Sequence, residues 1–90
     1  MPTIKFTNAL KRFYPTLAAL DLEVNQVSEV LTTIEKKYPG ISSYIIDEQG
    51  ALRQHVNIFV DGKMIKDRAQ LSDVLTPKSE VYIMQALSGG

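Results

Sequence analysis

The sequence contains no cysteine and no tryptophan. Without thiols there is no disulfide framework, no thiolate nucleophile and no cysteine-bound zinc, so the fold rests on packing alone. Histidine occurs once, at His55. A metal centre would have to be built mainly from carboxylates, and those are scattered along the chain rather than paired. Neither standard glycine-rich phosphate loop is present, and no apolar run approaches the ~18–20 residues of a membrane span. An excess of one charge is missing too: ten Lys and Arg balance ten Asp and Glu. That balance argues against holding nucleic acid or an anionic membrane by bulk charge. With 90 residues, 44% of them apolar, there is room for one small core and little else. Met1-Pro2-Thr3 leads straight into a strand pattern without signal-peptide character, so a cytoplasmic location is expected.

What is present reads as alternating and helical periods. Thr3 to Thr7 alternates with period two, Ile4 and Phe6 on one side, and predicts a half-buried strand. Asn8 to Thr16, carrying Lys11, Arg12 and Pro15, reads as the turn of a wide hairpin that returns through a strand near Leu17 to Val24. In that strand Leu20, Leu22 and Val24 alternate with Asp21 and Glu23. Val27, Val30, Leu31, Ile34 and Tyr38 follow the spacing of one buried helix face. Asn25 is the expected N-cap, and Pro39-Gly40 the stop. Ser42 to Asp47 fits either a short strand or a helical turn. His55 to Val60 reads as a strand, Asp61-Gly62 as a hairpin turn and Lys63-Met64-Ile65 as its partner. Lys66 to Leu75 fits a short helical turn or a packed loop, Thr76 to Ser79 a turn, and Val81 to Leu87 the last strand. One helix cannot cover both faces of a sheet, so the fold class is α+β, with a mixed sheet of four to five strands wrapped on one main helix. Residues 1–87 form the domain and 88–90 a flexible tail on this reading.

Alternation also predicts which side chains stay outside. If Val56, Ile58 and Val60 point at the helix, His55, Asn57 and Phe59 face outward. If Val81, Ile83 and Leu87 point in, Tyr82, Met84 and Ala86 point out. Phe59, Tyr82, Met84 and Ala86 then form an exposed apolar patch, the kind of surface that marks a docking site. The sequence ends Ser88-Gly89-Gly90 directly after this strand. Glycine has no Cβ, so Gly89 and Gly90, led by Ser88, would thread a narrow channel and bring a terminal carboxylate against a partner's active site.

The strand order, the run His55-Val56-Asn57-Ile58-Phe59-Val60-Asp61-Gly62 and the ending Val81 to Gly90 resemble the sulfur-carrier proteins of the ubiquitin-like β-grasp group. This is the family of ThiS and of MoaD, the small molybdopterin synthase subunit, and the two runs look most like its CysO-like branch, which carries sulfur for cysteine synthesis. Gln85 departs from that branch, whose members often show proline there. The resemblance implies that the Gly90 carboxylate is adenylated by an E1-like enzyme using ATP-Mg and converted to a thiocarboxylate. That sulfur would pass to a biosynthetic enzyme such as a cysteine synthase. On this reading the chain is a co-substrate with no catalytic residues, metal or bound cofactor of its own, and is a monomer when free. A thiamine-pathway carrier, a molybdopterin synthase subunit and a ubiquitin-like modifier forming isopeptide bonds share the same features.

Overall fold

The computed structural model describes residues 1–85. Strand β1 (Thr3–Phe6) is followed by a short helix α1 (Asn8–Lys11), strand β2 (Leu20–Asp21), the main helix α2 (Val27–Lys37) and a 3₁₀ turn (Ile41–Tyr44). Strands β3 (Val56–Val60), β4 (Lys63–Met64) and β5 (Glu80–Gln85) complete one five-stranded sheet in the order β2-β1-β5-β3-β4. β5 runs parallel to β1 and antiparallel to β3, so the sheet is mixed and its middle strand is the last in sequence. The α+β expectation, one mixed sheet on one main helix, holds.

Period two dictates which side of the sheet is covered. Ile4 and Phe6 of β1, Val56 and Ile58 of β3, and Val81 and Ile83 of β5 are buried. Opposite them lie Val27, Val30, Leu31 and Ile34 of α2, also buried, while Tyr38 packs half-buried at the edge. Leu10 of α1, Ile41 of the 3₁₀ turn and the loop residues Ile45, Leu52, Leu71 and Leu75 close the core. Among the described residues no helix is long and apolar enough to cross a membrane.

Several local expectations are corrected. The Asn8–Thr16 turn contains α1, because Ala9 and Leu10 bury against the core and the segment closes on itself through Phe13 and Tyr14 N–H bonds to Leu10 O. The strand expected over Leu17 to Val24 pairs only at Leu20 and Asp21, although Leu22 and Val24 are buried as expected. Leu22 N–H still bonds Pro2 O, but Val24 N–H turns back on Leu22 O and ends the ladder. The residue flanking α2 is Gln26 rather than Asn25, and no side chain caps it. Val27 and Ser28 instead donate to Asp73 O and Leu71 O, while Glu29 reaches back to accept Asn25 N–H at 2.6 Å. Ser42 to Asp47 begins as 3₁₀ helix and ends in a lone bridge between Ile46 and Leu52. Lys66 to Leu75 is a packed loop in which Leu71 and Leu75 are buried but Val74 is 77% exposed.

Carboxylates fix these loops. Glu35 accepts Gly40 N–H at 2.7 Å, Ser42 N–H at 3.0 Å and the Ser42 hydroxyl at 2.6 Å. The Ser42 hydroxyl first, then the backbone N–H groups, hold its carboxyl below the ordinary glutamate value. Asp67 gathers the Ser72 hydroxyl and the N–H groups of Ala69, Gln70 and Ser72, with the Ser72 hydroxyl the leading cause of its lowered pKa.

Two predictions follow from the packing and from these carboxylates. Ile34→Ala empties a fully buried site and should destabilise by about 2–5 kcal/mol in urea titration; a near-neutral value would show that this helix face does not fill the core. Because both carboxyls are lowered on folding, their stabilisation is complete above the ordinary carboxylate range and lost as pH falls through the lowered folded values. The melting-temperature gap between the parent and Glu35→Gln should therefore be widest near neutral pH and narrow in acid. A gap independent of pH would refute the assignment.

Candidate functional site

The sheet face turned away from α2 has no covering layer among the described residues. Cross-strand register lines up Lys5, Tyr82, Phe59 and Met64 in one row over β1, β5, β3 and β4. Met84 sits beside Asn57 in the next row. Tyr82 is 40% exposed, Met84 41% and Met64 53%, an unusual concentration of large apolar groups in water. Together with Phe59, Asp61, Gly62 and Glu80, Tyr82 and Met84 line a shallow groove of about 530 Å³. The Lys5 ammonium pairs with Glu80 at 3.1 Å along its border, in open solvent where such a pair contributes little.

The hairpin turn defines one end of the groove. Asp61 and Gly62 have φ of 52° and 83°, the left-handed pair that a two-residue turn between twisted strands requires. Asp61 is tied to β5 twice: its N–H donates to Glu80 O and its Oδ1 accepts Glu80 N–H, both at 2.9 Å. The groove therefore has a fixed wall.

Of the expected patch, the structure brings Phe59, Tyr82 and Met84 together, with Phe59 half-buried rather than fully exposed because Tyr82 and Met64 flank it. Val60, expected inward, is half-buried against the core. Met64 was not anticipated in the patch. The signal existed: a two-residue turn at Asp61-Gly62 pairs Val60 with Lys63 and so sets Met64 opposite Phe59. Ala86, Ser88, Gly89 and Gly90, and the proposed boundary after residue 87, lie outside the described residues.

At the other end of β5, Gln85 N–H donates to Thr7 Oγ1 at 3.3 Å and its side-chain amide reaches Tyr44 O at 3.4 Å. A proline here would lack the first of these bonds. The aromatic groups nearby are structural: Phe13 stacks on Tyr44 at 4.8 Å, and Tyr14 meets Tyr38 and Tyr44 edge-on. Burial, then the neighbouring Tyr44 and Glu35, raises the Tyr14 pKa, and its hydroxyl donates to Pro39 O. Among the described residues no cluster of His, Asp and Glu could hold a metal ion.

A mixed sheet wrapped on one helix, with a parallel β1–β5 pair at its centre and a bare apolar face, is the ubiquitin-like β-grasp architecture. The chain belongs to the ThiS family, whose model matches residues 4–90. A chain of the Amycolatopsis orientalis BexX/CysO complex superposes with a TM-score of 0.84 at 18% identity, covering 100% of both chains. Mycobacterium tuberculosis CysO gives 0.81 at 21%, covering 97% of this chain and 100% of that one. Small archaeal modifier protein 1 from Methanosarcina acetivorans gives 0.78 at 25%, covering 99% and 95%. No curated protein matches the chain in sequence.

Exposure ranks what these side chains contribute to folding. Met64→Ala should change stability by no more than about 0.5 kcal/mol, since Met64 is 53% exposed, and Met84→Ala, at 41% exposed, by no more than about 1 kcal/mol. Phe59→Ala should cost more, on the order of 1–2 kcal/mol, because its ring is half-buried. Urea titration of the three variants checks this; equal losses at all three positions would mean the methionines are packed.

Proposed function

We propose that this protein is a sulfur carrier whose Gly90 carboxylate is adenylated and then converted to a thiocarboxylate. The observation that carries the reading is the family match, which runs through the two glycines that follow β5. A carboxylate is ionised at neutral pH and a poor electrophile. Its oxygen would attack the ATP α-phosphorus with loss of pyrophosphate, and a sulfur donor would then displace AMP from the carbonyl carbon. The activating enzyme supplies ATP-Mg, so this chain acts as substrate and donor. The apolar groove beside β5 supports the reading, because the exposed Tyr82 and Met84 that line it give a partner an anchor that leaves the core untouched.

Cysteine synthesis is the pathway we favour, on the likeness of the His55–Gly62 run and of the ending to the CysO-like branch, with a cysteine synthase as acceptor in the cytoplasm. A protein-modifier role is the second reading, and the 25% identical small archaeal modifier protein 1 favours it. Thiocarboxylated protein given a cysteine synthase and its carbon substrate would acquire a cysteinyl group on the Gly90 carbonyl in the first case, and hydrolysis of that bond would release cysteine. In the second, Gly90 would appear in isopeptide bonds to lysines.

Activation is tested with an E1-like enzyme from the same genome, ATP-Mg and a sulfur source. Intact-mass spectrometry should show one oxygen-to-sulfur exchange on the parent. Gly89→Val should not convert, since a β-branched side chain widens the thread and stiffens the backbone. Conversion of Gly89→Val at the parent's rate would contradict the threading role.

A further inference from the structure

The open face changes character toward the end of β5. The outward positions of β3 run Phe59 then Asn57, with His55 just before the strand, and beyond the apolar groove lies a polar hollow of about 650 Å³ that includes Arg53, His55, Asn57 and Arg68. Arg68 spends its hydrogen bonds on neutral oxygens. Nη1 donates to Asn57 Oδ1 at 2.9 Å, and Nη2 donates to Arg53 O at 2.8 Å and Val56 O at 3.0 Å. Arg53 gives its Nε–H to Ser43 O at 2.8 Å, which leaves its terminal nitrogens without a bond among the described residues. Asp47 also lines the hollow, but its Oδ1 is engaged by the N–H groups of Gln49 and Ala51.

The one ion pair among the described residues is Lys5 with Glu80. Two half-buried arginines therefore share a hollow in which no carboxylate comes within 4 Å of them, although Asp47 lines it and Glu48 borders Arg53 on its other side. Partly desolvated like charges without a counter-ion cost stability, and a pairing acid was available to the sequence. The unbonded end of the Arg53 guanidinium offers a place for an anion from outside.

Position says whose. Val56 pairs with Gln85, so the hollow adjoins the point from which residues 86–90 continue. Five residues span at most about 17 Å. An enzyme that holds Gly90 in its active site therefore has its surface within about 17 Å of the end of β5 that this hollow adjoins. We propose that the hollow receives carboxylate side chains of the activating enzyme, gripped by the forked Arg53 guanidinium and by the amide N–H groups of Asn57. Arg68 acts as a positioning residue that holds Asn57 and the Arg53 backbone. The proposal rests on the carrier reading and gives the docking face two parts: an apolar anchor at Phe59, Tyr82, Met84 and Met64, and a charged end that steers the approach.

The test is binding of the E1-like enzyme to the parent, Arg53→Gln, Arg53→Lys and Met84→Ala across about 0.05–0.5 M NaCl. Arg53→Gln should lose about tenfold in affinity at low salt, and the gap should close at high salt. Arg53→Lys should keep most of the low-salt affinity, and the Met84→Ala loss should not vary with salt. Unchanged or tighter binding by Arg53→Gln, the latter expected if the hollow held the chain's own terminal carboxylate, overturns the proposal. So do equal losses for the Gln and Lys variants at every salt concentration, which would mark a structural role. In those cases the carrier reading stands as long as the parent is still converted to the thiocarboxylate. A parent that is neither bound nor converted overturns both.

Discussion

The pairing of β5 between β1 and β3 is the constraint on which the rest depends. Val81 and Ile83 are fully buried beneath it, while Tyr82 and Met84 stand on the other side. One strand thus supplies the centre of the core and the centre of the exposed face. The parallel pairing with β1 obliges the chain to cross over between the two strands, and α2 lies within that crossover. Because β5 is the last strand, the residues that carry the proposed chemistry continue directly from the best-anchored part of the sheet.

The loops are held by a different device. Glu35, Asp67, Asp73 and Asp47 each collect backbone N–H groups from a segment that lacks its own ladder. Such bonds satisfy donors that would otherwise be left without partners where the chain leaves regular structure. The same economy explains why these acids are not available as counter-ions. With these acids engaged in organising loops, Arg53 and Arg68 have no ion-pair partner among the described residues.

Much of the fold was legible because it is written in short periods. The α2 face, the β3–turn–β4 hairpin and the inward and outward sides of β3 and β5 each follow from residues a few positions apart. What escaped depends on distant contacts. Asn25 has the right side chain for an N-cap, but Asp73 and Leu71 carbonyls take the first N–H groups of α2, and no local rule foresees them. α1 is only four residues long, and its formation depends on Ala9 and Leu10 finding the core. The patch was readable from alternation, Met64 from turn register alone. The arginine hollow was not, since Arg68 reaches Arg53 across 15 residues of chain.

On the sulfur-carrier proposal, this sheet presents one carboxylate to a partner enzyme. Top-down mass spectrometry of the protein taken from its own cells reads that claim directly. A fraction of molecules should end at Gly90 with sulfur in place of one terminal oxygen. Protein that continues beyond Gly90, or that ends there with an unmodified carboxylate under every growth condition requiring sulfur assimilation and shows no lysine conjugates, would contradict the account.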